Sequence, residues 1–87
     1  MLDQLLLART EFIQRVSDPV LNQLLDKLLE RGVISDEEMQ SARTKSRAEK
    51  ARDVIDSVRR KGEEASSFLI AALCQLDEWL SRELSLR

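Results

Sequence analysis

Residues 18–39 read DPVLNQLLDKLLERGVISDEEM, and this stretch decides the fold. Asp18 and Pro19 open a helix: the aspartate can cap free amides, and proline fits a first turn whose N–H groups have no partners. Val20, Leu21, Leu24, Leu25, Leu28 and Leu29 then recur at i, i+1, i+4, i+5, i+8 and i+9, one apolar face of helical period. Gly32 supplies a left-handed stop. Ser35-Asp36-Glu37-Glu38 starts the next helix as a capping box, in which Ser35 and Glu38 exchange bonds with each other's amides. Ile34 and Met39 stand at the spacing of a hydrophobic staple, and the acids of this first turn complement the helix dipole.

The same punctuation continues in both directions. Upstream, Leu2, Leu5, Leu6, Phe12, Ile13 and Val16 form an apolar stripe whose phase shifts between Leu6 and Phe12, so the first helix is expected to bend or break near residues 8–10. Downstream, Ser46-Arg47-Ala48-Glu49 repeats the capping-box spacing and begins a fourth helix with Ala48, Ala51, Val54, Ile55 and Val58 inward. Gly62 ends it. Residues 65–76, with Phe68, Leu69, Ile70, Ala71, Ala72 and Leu73, are apolar nearly all round and read as the buried central helix. Asp77 caps a short last helix holding Trp79, Leu80 and Leu84, with Trp79 expected to pack against the bundle. Six antiparallel helices with short connections make a compact all-α bundle, a single domain over residues 1–87.

Composition narrows the chemistry. The 87 residues include no histidine and one cysteine, Cys74. Imidazole proton shuttling, Ser/His/Asp triads, internal disulfides and Cys/His zinc sites are therefore excluded. Cys74 reads as a small buried residue rather than a reactive thiol. Asp77, Glu78 and Glu83 have no convergent loop of oxygen ligands around them, so neither a metal nor a cofactor is expected. No run approaches the roughly 18 apolar residues of a membrane span, and Leu5-Leu6-Leu7 lacks the positive flank of a signal peptide. With 34% charged residues and a net charge of −2, a general nucleic-acid or polybasic membrane binder is disfavoured.

That small net charge hides a segregation. Residues 18–42 carry six acids against two bases, or −4, and residues 43–61 carry eight bases against three acids, or +5. An acidic block followed by a basic one suits a module that docks onto a partner or onto its own copies.

Several stretches together resemble a known family: Leu24-Leu25-Asp26-Lys27-Leu28-Leu29, Val33-Ile34-Ser35-Asp36-Glu37-Glu38-Met39, and Val54-Ile55-Asp56-Ser57-Val58 followed by Lys61-Gly62. In this order they resemble a caspase recruitment domain (CARD), closest to the prodomain of the inflammatory caspases. Phe12-Ile13, Cys74, Asp77 and Leu80 also match that subgroup. The likeness covers the whole chain apart from a short deletion near Lys45. It implies a death-fold, six-helix Greek-key bundle with a bent first helix and no enzymatic activity of its own, although it can be the prodomain of a cysteine protease. It further implies recruitment of other CARD proteins in the cytoplasm by CARD–CARD contact, with homo-oligomers or helical filaments in inflammasome or apoptotic signalling.

Carried over residue by residue, Asp26 matches the family's acidic position, and Lys50 and Arg52 match its basic positions. Charge and location add Glu30, Glu37 and Glu38 to the acidic face and Arg9, Arg15 and Arg47 to the basic one. Plainer readings exist for each: a solvated helix face for the acids, a cap for Glu38, and helical pairing with Glu49, Asp53 or Asp56 for the bases. Two alternatives stay open, a CARD-only decoy that blocks caspase recruitment and a domain that binds lipopolysaccharide or anionic lipid through Arg59-Arg60-Lys61. Overall acidity weighs against the lipid reading.

Overall fold

A computed structural model describes residues 4–85 of the chain. Six helices follow one another: α1 Gln4–Arg15, α2 Asp18–Arg31, α3 Asp36–Arg43, α4 Arg47–Lys61, α5 Glu63–Leu76 and α6 Glu78–Glu83. There is no strand among the described residues. The all-α, six-helix architecture read from the sequence is what the chain adopts.

The stop at the end of α2 shows how local chemistry sets the path. Gly32 takes the left-handed conformation at φ 82°, ψ 14°. Its N–H donates to the Leu29 carbonyl at 3.0 Å, while Val33 N–H reaches the Leu28 carbonyl at 2.9 Å. This is a complete Schellman motif, and it satisfies carbonyls that the helix end leaves over. Both expected capping boxes are formed, Ser35 with Glu38 and Ser46 with Glu49. Ile34 and Met39 are buried as a staple requires. Gly62, at φ 114°, joins α4 to α5, and the Asp77 carboxylate accepts the Leu80 N–H at 3.0 Å to start α6.

The cap of α2 lies one residue earlier than expected. Ser17 is the cap, its hydroxyl accepting the Val20 N–H at 3.3 Å. Asp18 falls inside the first turn, and its carboxylate is free to reach α4 instead.

Packing follows the apolar stripes. Helix α5 lies against α2, α4 and α6, and α1 lies against α4. Phe12, Val16, Leu21, Leu24, Leu28, Ile55, Val58, Leu69 and Leu73 are fully buried. Each large side chain removed from water contributes about 1.5–3 kcal/mol before entropy is charged against it. Helix α5 is central as expected, although Ala71 faces solvent, and Phe68 and Cys74 are only half-buried.

Two apolar expectations change. Helix α1 is one continuous helix through residues 8–10, so of the bend or break expected there the break does not occur. Leu5, Ala8, Phe12 and Val16 share its inward face, whereas Leu6, the residue that made the stripe shift phase, is 51% exposed. Leu2 lies outside the described residues. Trp79 does not pack against the bundle: it is 67% exposed, because Leu80 and Leu84 take the inward side of the short α6.

Two substitutions check these placements. Gly32→Ala puts a Cβ in the left-handed region and should lower unfolding free energy by about 1 kcal/mol in urea denaturation. Trp79→Ala should change it by no more than about 0.5 kcal/mol. A loss of several kcal/mol at Trp79 would place that ring in the core.

Candidate functional site

The acidic half is built on α2 and α3, which the Schellman turn folds back onto each other. Asp26, Glu30 and Glu37 are all exposed. Glu30 and Glu37 make no ion pair or hydrogen bond with a described residue, while Asp26 Oδ1 lies 3.5 Å from Nη2 of Arg43 at the end of α3. Glu38 is different. Its Oε1 accepts the Ser35 N–H at 3.0 Å and Lys61 Nζ at 3.3 Å, and its Oε2 accepts the Ser57 hydroxyl at 3.2 Å. The Ser35 backbone bond, helped by Lys61 and Ser57 and opposed by burial, holds the Glu38 carboxyl below its ordinary value. Glu38 is thus a clamp between α3 and α4 rather than a charge available to a partner.

The basic half is more heavily engaged. Arg9 grips Asp56 with two bonds, Nε to Oδ1 at 2.7 Å and Nη2 to Oδ2 at 3.0 Å, joining α1 to α4. That fork lowers the Asp56 carboxyl, with burial opposing and Arg59 and Arg60 assisting, and raises Arg9 in return. Arg15 lies between Glu11 at 2.8 Å and Glu83 at 2.9 Å. Arg47 Nη1 donates to the carbonyls of Ile13 at 2.6 Å and Val16 at 3.0 Å, satisfying the last turn of α1.

Lys50 departs furthest from expectation. Its side chain is 7% exposed, and Nζ donates to Asp18 Oδ1 at 3.0 Å and Asn22 Oδ1 at 3.1 Å on α2. It is a structural strut inside the bundle, not part of an exposed basic face. The reason lies in spacing: Lys50, Val54 and Val58 fall at i, i+4 and i+8, so the lysine stem lies on the apolar stripe and only its ammonium needs a polar end. Arg47 stands in the same relation to Ala51 and Ile55. Arg52 is exposed, has no partner among the described residues, and lies about 200° around α4 from Lys50.

Of the nine candidate residues, Asp26, Glu30, Glu37 and Arg52 are left presenting charge outward with little or no internal engagement. Arg43, which pairs with Asp26, was not among the candidates. Its position in the last turn of α3 reads from the sequence only as favourable dipole chemistry. Among the described residues no three His, Cys, Asp or Glu groups converge as metal ligands, and no helix is long and apolar enough to cross a membrane. The exposed charges at Asp26, Glu30, Glu37 and Arg52 can attract and orient a charged surface.

Known proteins match the chain over most or all of its length. The model of the Caspase recruitment domain family matches residues 2–87. Caspase-1 of Rattus norvegicus is 41% identical over 90 residues, covering all of this chain and 22% of that protein. Caspase recruitment domain-containing protein 16 of Homo sapiens is 35% identical over 80 residues, covering 90% of this chain and 41% of that protein. The chain thus spans about a fifth of the caspase-1 relatives it matches. The solution structure of ICEBERG, an inhibitor of interleukin-1beta generation, superposes with a TM-score of 0.78 at 38% identity, over 87% of this chain and 88% of the other.

The internal clamps carry a pH dependence with a definite sign. Asp56 and Glu38 titrate below their ordinary values of 3.8 and 4.5 when folded. Their stabilisation is complete above those values and is lost as pH falls through the lower folded ones. The drop in urea midpoint between pH 7 and about pH 3 should therefore be smaller in Asp56→Asn and Glu38→Gln than in the natural chain. An equal drop in all three would mean that neither carboxylate is held by the partners named for it.

Proposed function

The chain belongs to the caspase recruitment domain family, a family of homotypic interaction modules, and we propose that it docks head to tail through the α2–α3 acidic face and the outward side of α4. The observation that carries this reading is the pairing of exposed, lightly engaged carboxylates at Asp26, Glu30 and Glu37 with an unengaged guanidinium at Arg52. One domain cannot bring these together, because α2 and α4 are fixed against each other. A second copy, or another CARD, can. Each contact leaves one acidic and one basic face unused, so the assembly grows as a ring or an open helix. Each exposed pair contributes about 0–1 kcal/mol, and growth relies on several acting together. The domain itself supplies no chemistry; in a longer protein it would bring the attached parts together in inflammasome or apoptotic assemblies.

A second reading draws on the basic half. Arg9, Arg15, Arg47 and Lys50 are all held internally, which leaves Arg52 to represent that face. A domain with a strong acidic face and a weak basic one would bind the end of a growing assembly and slow further addition. This is a decoy's behaviour, and the likeness to an inhibitor of interleukin-1beta generation supports it. The lipid alternative has less support, since Glu38 holds Lys61 and Asp56 lies 4.0 Å from Arg59.

Asp26→Arg and Arg52→Glu should each abolish sedimentable assembly of the purified domain while circular dichroism remains that of the folded monomer. Combining both reversals in one chain should restore part of the assembly. If both single variants sediment as the natural domain does, these faces are not the docking surfaces.

A further inference from the structure

Resting on the docking reading above, we propose that Arg43 competes from within the domain for Asp26, so that a partner's cation must displace it before the acidic face is fully engaged. Arg43 Nη2 lies 3.5 Å from Asp26 Oδ1, and the two side chains are 62% and 60% exposed. That distance and exposure describe a loose contact. It screens the carboxylate without locking it, unlike the two-bond fork between Arg9 and Asp56.

The position of Asp26 makes this contact matter. Glu30 lies one turn along α2 on the same exposed side, and Glu37 begins α3 beyond the Gly32 turn. Neither has an internal partner among the described residues. Asp26 is the one member of the exposed acidic set with a cation beside it, so the face is graded, open at the turn and screened at its far end. A partner carrying a rigid guanidinium can take Arg43's place on the carboxylate with a two-bond fork. A weakly oriented ammonium gains less from the exchange, so Arg43 also biases the face toward arginine-bearing partners.

The test isolates one interface. A domain carrying Asp26→Arg keeps only its basic face. A domain carrying Arg52→Ala keeps only its acidic face and, unlike Arg52→Glu, offers the reversed face no carboxylate, so a mixture of the two forms a single contact and cannot grow. Affinity is measured by isothermal titration. Adding Arg43→Gln to the Arg52→Ala domain should tighten binding about twofold to fivefold at low salt, with the gain fading as salt is raised. Adding it to the Asp26→Arg domain should change nothing, and Arg43→Lys, which keeps the screening charge, should give much less than the Gln gain. Arg43→Gln also removes a cation from the last turn of α3, so its melting temperature should fall slightly while its affinity rises. That pairing separates release of Asp26 from any general loosening. Unchanged or weaker binding with Arg43→Gln in the acidic-face domain overturns the proposal. If the Asp26→Arg and Arg52→Ala domains do not bind each other at all, the face assignment fails, and the role given to Arg43 fails with it.

Discussion

The contact between Lys50 and α2 holds the functional geometry in place. Its ammonium reaches Asp18 and Asn22 across the helix interface, while its stem lies on the apolar side of α4. An unpaired buried lysine would be strongly unfavourable, so the bond to Asp18 is required by the burial as much as it adds to stability. The consequence is geometric. With α4 fixed to α2 on that side, Arg52 is turned away from Asp26, and the two exposed charges cannot meet within one chain. Arg9 with Asp56, and Arg47 with the end of α1, fix α4 to α1 in turn.

Cations in this domain thus divide into two groups by their spacing along α4. Of the candidate cations on α4, Arg47 and Lys50 lie in phase with Ala51, Val54, Ile55 and Val58 and become struts, whereas Arg52 lies out of phase and remains available to a partner. The acids divide as well: Glu38 closes a capping box and binds Lys61 and Ser57, whereas Glu30 and Glu37 remain open to solvent. The net charge of −2 gives no hint of this, because the surface seen by a partner is set by which charges the fold has already paired.

Much of this was legible in the residues. Gly32, Ser35 with Glu38, Ser46 with Glu49, and Asp77 act over three or four positions, and such local chemistry survives any tertiary context. The phase of α1 was less legible, since Leu5, Leu6 and Leu7 offer two stripes and only contact with α4 selects the one through Ala8 and Phe12. Trp79 was misplaced because six residues of helix do not show which side the bundle covers. Lys50 was readable in principle, its i+4 and i+8 partners both being valines, but its charge suggested solvent. The pairs Arg9–Asp56 and Arg15–Glu83 join helices distant in sequence, Arg43–Asp26 joins α2 to α3 across the Gly32 turn, and nothing in local spacing announces them.

The central claim is that charge, not the exposed apolar side chains of Trp79 and Leu7, draws these domains together. Sedimentation of the natural domain across a salt series from about 50 to about 500 mM tests it most directly, since screening shortens the reach of exposed charges over that range. The account predicts assembly that weakens steadily as salt rises. Assembly that is unchanged or strengthened at high salt would contradict it and point to the apolar surface instead.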